Sequence, residues 1–344
     1  MQSDQGNAAG RATNQQPNLP RRSLLAALTV LSAPALAQSA PYPNRPLRIL
    51  VGFPPAGTTD IAARLLSEPL AARLGQPVAV ENRPGATGNI AADIAARAEP
   101  DGYTLHATNV GTGALNYTLF GARMPVKPED FVEVGLLMRV PNAVFVHPSL
   151  PVHSVAALIA YAKANPGKLN FGSTSLGGSP HMTMELLKLR AGINLVHVPF
   201  RGAGPMLVEA MAGRLEVGCD NLPSVIEHLR DGRLRPLAVT NTQRSPALPA
   251  VPSMAETLPG FEATGWFGIQ APARTPAAII ARLGAEIDAI TKEANYRRRL
   301  AELGADLPGL TPDGGTTPAS YTAFIRAETA KWAEVVRASG VSLE

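Results

Sequence analysis

Four times along this chain an apolar β-type run breaks at a turn rich in Gly, Ser, Thr and Pro and resumes as a helical pattern. LRILVGF passes through GFPPAGTTD into DIAARLLSEPLAARLG, and PVAVEN through NRPGATGN into NIAADIAARAE. KLNFGS passes through GSTSLGGSP into HMTMELLKLRAG, and LVHVPF through PFRGAG into GPMLVEAMAGR. Strand then helix, repeated, predicts an α/β fold with mainly parallel sheets. Crossover helices cover such a sheet on both faces, which fits an apolar run like Ile49, Leu50, Val51 that does not alternate. In open sheets of this kind the strand-to-helix turns gather at the carboxyl ends of the strands, where ligands bind. Each turn also delivers a helix N-terminus, whose free N–H groups and positive dipole end hold an anion without a formal cation. The same residues are what ordinary turns and N-caps need, so it is the recurrence of four such turns that points to a site.

Other chemistries find no support. The 344 residues carry a formal charge of +4 with 5% aromatic content, and neither a basic stripe nor a stacking platform for nucleic acid stands out. No G-x-x-x-x-G-K-[ST] is present, and GFPPAGTTD lacks the G-x-G-x-x-G of a dinucleotide fold. His106, His147, His153, His181, His197 and His228 form no H-E-x-x-H and have no zinc spacing, so no metal or cofactor is expected. Ser179 and His181 lie two residues apart at a helix start and point to different faces, which disfavours a nucleophile pair. The single cysteine, Cys219, excludes an intramolecular disulfide and reads as a small buried hydrophobe.

The N-terminus reads as an export signal. Arg21-Arg22 precedes an apolar run over residues 24–36, with Ala35 and Ala37 at the −3 and −1 positions of a cut before Gln38. Residues 1–37 are therefore expected to be removed, residues 1–20 being a polar extension outside the fold. Pro20 stands before the arginine pair, where Ser or Thr would strengthen a twin-arginine address, so Sec and Tat both stay open.

YPNRPLRILVGFPPAGTTDIAARLL, QPVAVENRPGATGNIAA, PDGYTLHATNVGT, LVHVPFRGAGP, DNLPSVIEHLRDGRLRPLAVT and GWFGIQAPARTP, in unbroken order over residues 42–344, resemble the Bug-type receptors of the tripartite tricarboxylate transporter family. The resemblance implies a two-lobed periplasmic-binding fold of type II, each lobe a mainly parallel sheet flanked by helices, with two crossings between lobes. It places residues 42–145 and 266–344 in lobe 1 and 146–265 in lobe 2. It implies a periplasmic receptor that captures a di- or tricarboxylate or related acid as a monomer, for an inner-membrane tripartite permease or a sensor, with no enzymatic activity. An exported α/β enzyme acting on a small organic acid in the same cleft is the alternative.

By the same resemblance Phe53 supplies an apolar wall, and Ala56, Gly57, Thr58 and Thr59 supply donors. Ser173, Thr174, Ser175, Gly178 and Ser179 form the facing half. Asp60 is expected to serve the free N–H groups of its own helix before any ligand amino group. Thr108 and Asn109 either close the lobe 1 side or simply turn the chain, and Asp220 with Asn221 stand in the same position after LEVGC. In Phe200, Arg201 and Gly202, the arginine either pairs with a second carboxylate or is solvated. Two departures fall in this site: Ala56-Gly57-Thr58 where the family often has three glycines, and Arg201 where it often has lysine.

Overall fold

A computed structural model of the chain describes residues 42–339; the expected export segment lies outside them. The elements run β1 Leu47–Val51, α1 Thr58–Leu74, β2 Val78–Asn82, α2 Asn89–Ala96, β3 Thr104–Asn109, α3 Asn116–Phe120 and β4 Phe131–Val146. There follow α4 Val155–Ala164, β5 Asn170–Ser173, α5 Ser179–Ala191, β6 Val196–Pro199, α6 Ala203–Met211, β7 Val217–Asn221, α7 Leu222–Arg230 and β8 Arg235–Val239. The chain closes with β9 Thr264–Pro272, α8 Ala277–Lys292, α9 Ala294–Glu302 and α10 Pro318–Ser339.

Two sheets share one long strand. The first has the order β2-β1-β3-β9-β4, with β1 parallel to β2 and β3 and with β9 antiparallel to both neighbours. The second has β6 beside β5 and β5 beside β7, all parallel, then β4 antiparallel between β7 and β8. β4 pairs with β9 through Pro141 and with β7 from Asn142 onward, so the chain passes from one sheet to the other in the middle of that strand.

The central strands β1, β4 and β9 are buried on both faces, which is why they read as apolar runs. In β1, Ile49 and Val51 pack with Leu66 and Leu70 of α1 and Ile287 of α8, while Leu50 between them packs with Ala91, Ala92 and Ala95 of α2. In β4, Val144 and Val146 face α4 and α5, whereas Ala143 and Phe145 face α6 and α7. Cys219 lies fully buried in the α4–α5 layer, and burial pushes its thiol pKa up, so it is inert packing. The C-terminal stripe of α10 is core, with Ile325, Trp332 and Val336 buried beside Trp266 and Tyr321. The indoles of Trp266 and Trp332 both donate to Glu328 Oε2 at 2.8 Å, pinning α10 to β9.

Candidate functional site

The turn from β1 to α1 is fixed by backbone contact and by one buried carboxylate. A Cβ on Gly52 would fall 2.6 Å from the Cα of Gly88, so this turn and the β2–α2 turn touch at a point where only glycine fits. Asp60, buried in the first turn of α1, accepts from Ala56 N–H (3.0 Å), Arg64 Nε (2.9 Å) and Asn82 Nδ2 (2.9 Å). Burial by itself would raise its pKa, but the bonds from Arg64, Ala56 and Asn82 prevail and hold the carboxyl below its usual range. Asp60 is thus an internal anion that organises the turn. Its bond to Ala56 N–H supports that residue at φ 65°, a region that costs an L-residue roughly 1–2 kcal/mol.

The facing loop, after β5, is held by two stacked histidines. Ser173 Oγ donates to Ser175 O (2.9 Å) and meets His197 Nε2 at 2.7 Å, so the neutral His197 is the Nε2–H tautomer. His181 Nδ1 accepts from Gly177 N–H at 3.0 Å, and its ring stacks on that of His197 at 3.8 Å. Burial and the neighbouring His181 push the pKa of His197 down to about 3, which keeps the His197 ring neutral at pH 7.

Between the two loops lies a cleft with about 590 Å³ of open space. One side presents Phe53, Gly57, Thr58, Thr59, Thr87, Asn109 and Asn116; the other presents Thr174, Ser175, Leu176, Ser179, Gly202, Asp220 and Asn221. Helices α1, α5, α6 and α7 all begin here, and their N-caps Gly57, Gly178, Gly202 and Asn221 make no side-chain cap bond. By contrast α4, whose first residues do not line the cleft, is capped by Ser154 Oγ accepting from Ala157 N–H at 3.1 Å. Four positive helix ends with free donors therefore converge on one space. Thr58 Oγ1 and Asn116 Oδ1, both buried, have no hydrogen-bond partner within the protein.

Charge is nearly absent from the walls. Among the described residues Asp220 is the only ionisable one lining the cleft. It accepts from Asn221 N–H (2.7 Å) and Ser224 Oγ (2.6 Å), yet burial outweighs these bonds and pushes its pKa up to about 7. Behind the cleft, Asn142 stands where β4 changes sheets. Its Nδ2 donates to Thr183 Oγ1 (2.7 Å), and its Oδ1 accepts from Ser179 Oγ (3.2 Å) and Asn221 Nδ2 (2.6 Å). One side chain thus ties the starts of α5 and α7 to the crossing strand.

Of the residues named from sequence, Phe53, Gly57, Thr58, Thr59, Asn109, Thr174, Ser175, Gly178, Ser179, Gly202 and Asp220 line the cleft. Phe200 and Arg201 instead line an adjoining outer space of about 1210 Å³. Asp60, Thr108 and Ser173 are buried in the supports of the loops, where Thr108 Oγ1 bonds Thr112 Oγ1 at 3.0 Å, and Ala56 is exposed on its turn. Asn109 spends its Oδ1 on the N–H groups of Gly111 (2.9 Å) and Thr112 (3.2 Å) and its Nδ2 on Thr59 Oγ1 (3.0 Å), so it shapes the wall. Thr87, Asn116, Leu176 and Phe267 line the cleft without having been singled out. Thr87 carried a signal in the GATG turn; Asn116 follows the π-helical turn Gly111–Leu115, which has no sequence pattern. Ser179 and His181 do not pair: the serine bonds Asn142 and the histidine bonds Gly177. Among the described residues no group of three His, Cys, Asp or Glu is placed to hold a metal ion, and no helix is long and apolar enough to cross a membrane.

Comparison with known proteins agrees with this architecture. A tripartite tricarboxylate transporter family receptor profile matches residues 62–341. The BugT protein of Bordetella pertussis is 38% identical over 317 residues, which cover 91% of this chain and 94% of that one. Among solved structures, R. palustris Rpa4515 with adipate is 37% identical with a TM-score of 0.83, covering 88% of this chain and 99% of that one. MatC (Rpa3494) from Rhodopseudomonas palustris with bound malate is 31% identical with a TM-score of 0.79, covering 86% and 100%. With its two sheets joined through a shared strand and four uncapped helices facing one cleft, this chain belongs to the tripartite tricarboxylate transporter receptor family, the Bug-type solute-binding receptors.

Proposed function

We propose that this protein is a periplasmic receptor that captures a small organic carboxylate between its two lobes and presents it to an inner-membrane tripartite permease or a sensor. The lobes are taken to divide after residue 145, at the end of β4, and after residue 265, inside β9, and the chain to act as a monomer. The observation that carries this reading is the convergence of four uncapped helix N-termini on a cleft whose walls hold no cation, with Thr58 Oγ1 and Asn116 Oδ1 unpartnered beside them. An anion is the species that such donors satisfy best. Hydrogen bonds to a charged group contribute about 1.5–3 kcal/mol each, so four or five give micromolar affinity after ordering costs. The adipate in Rpa4515 and the malate in MatC favour a ligand with two carboxylates.

Catalysis finds less support in the same space. A paired general acid and base would be two titrating groups on the walls, and among the described residues Asp220 is the one there. The test is a panel of mono-, di- and tricarboxylates assayed in parallel for thermal stabilisation and for turnover. Ligand at a hundred times its Kd stabilises the native state by roughly 2.7 kcal/mol, a rise of a few degrees in Tm. Stabilisation with the acid recovered unchanged is the expected result; steady conversion of any acid contradicts it.

A further inference from the structure

We infer that Arg201 recognises the far end of an elongated ligand, an acid with an anionic group at each end: one seated among the helix N-termini, the other emerging at this guanidinium. The inference rests on the carboxylate-receptor reading above and adds the length and charge pattern of the ligand. The inner cleft and the outer space adjoin, since Phe53, Pro54, Thr87, Thr174, Ser175, Leu176 and Gly202 line both.

Along this path the lining changes character in order. The inner end is built of donors, Thr58, Thr59 and Ser179. The shared neck is only partly apolar: Phe53, Pro54 and Leu176 wall it together with the hydroxyls of Thr87, Thr174 and Ser175. The outer space has Arg201 as its only charged residue. Donors within, a neck with apolar surface on Phe53, Pro54 and Leu176, and a cation outside are complementary to a carboxylate, a carbon chain and a second carboxylate.

Arg201 is also unspent. It is exposed and, among the described residues, makes no ion pair and no side-chain hydrogen bond. Its position is fixed by the next residue. Gly202 has φ 111°, and a Cβ there would stand 3.0 Å from Pro54 on the opposite loop, so the backbone passes the neck where only glycine is accommodated. That places Arg201 beside a close approach of the β6–α6 turn to the β1–α1 turn.

The experiment is calorimetric titration of the wild-type chain, Arg201→Gln and Arg201→Lys with matched pairs of acids: succinate and butyrate, adipate and hexanoate, suberate and octanoate. In the wild type the advantage of diacid over monoacid of equal length should grow from succinate to suberate. In Arg201→Gln the advantage of suberate over octanoate should fall roughly tenfold, the value of one charge-assisted hydrogen bond, with Arg201→Lys recovering part of it. Acids that bind but show an advantage independent of chain length, or one equal in Arg201→Gln and wild type, overturn the inference and leave the receptor reading standing. Failure of all six acids to bind the wild type overturns both.

Discussion

Ala56 sits in the left-handed region because Asp60 holds its N–H, so the turn carries a conformational cost that the sequence does not need. Ala56→Gly removes that cost and returns part of it as unfolded-state entropy, for a net gain of about 0.5–1 kcal/mol. A rise of roughly 1–3 °C in Tm checks this. A second residue-scale effect lies in the first sheet, where buried Glu133 accepts from Gln270 Nε2 at 2.9 Å and its other oxygen has no partner. Burial, only partly offset by Gln270, pushes its pKa from 4.5 up to about 7, and Asp220 rises from 3.8 to about 7 by burial too. A raised carboxyl pKa favours the native state fully below the unfolded value, and that contribution is lost as pH climbs through about 7. Buried His106 and His197 work in the opposite sense, their pKa values lowered by burial to about 4 and about 3, so stability is also lost as pH falls through those values. Chemical denaturation of Glu133→Gln should therefore show a flatter curve between pH 4.5 and 7 and a gain above pH 7 of at most roughly 3 kcal/mol. A variant curve parallel to the wild type would place the titration elsewhere.

At the scale of elements, the helix starts at the cleft and the strand that carries both sheets are joined by Asn142. Removing its side chain leaves Asn221 Nδ2 and Ser179 Oγ with lost bonds in a dry environment. Asn142→Ala should cost about 2–3 kcal/mol and weaken carboxylate binding, because the first turns of α5 and α7 lose their common anchor. Denaturant midpoints and a binding isotherm measure the two effects on one sample. This anchor was not legible in the sequence. Asn142 borders the apolar run AVFVHP, and its role depends on three side-chain partners 37 to 79 residues away. The strand and helix on either side of each of the four turns, β1–α1, β2–α2, β5–α5 and β6–α6, were legible, because their apolar periodicity is a local property that packing reinforces.

At the scale of the molecule, the fold was readable because strand-turn-helix recurrence leaves few architectures open, and the cleft was readable in part for the same reason. Turn composition marks where helices begin, so Gly57, Thr58, Ser175 and Ser179 stood out. It does not say which turn residues face inward, so Ser173 and Thr108, now seen supporting the loops, were indistinguishable from Thr174 and Thr58. Nor does it mark Asn116, brought to the wall by a π-helical turn. The central claim is that neutral donors at helix N-termini hold the ligand's carboxylate. Thr58→Asp tests it most directly, since an acidic residue in the first turn of α1 suits the helix dipole but sets a negative charge against the bound anion. Isothermal titration of adipate into wild type and Thr58→Asp, at equal Tm without ligand, should show saturable binding in the first and at least a hundredfold loss in the second, on the order of 3 kcal/mol. Undiminished affinity in a folded Thr58→Asp protein would contradict the account.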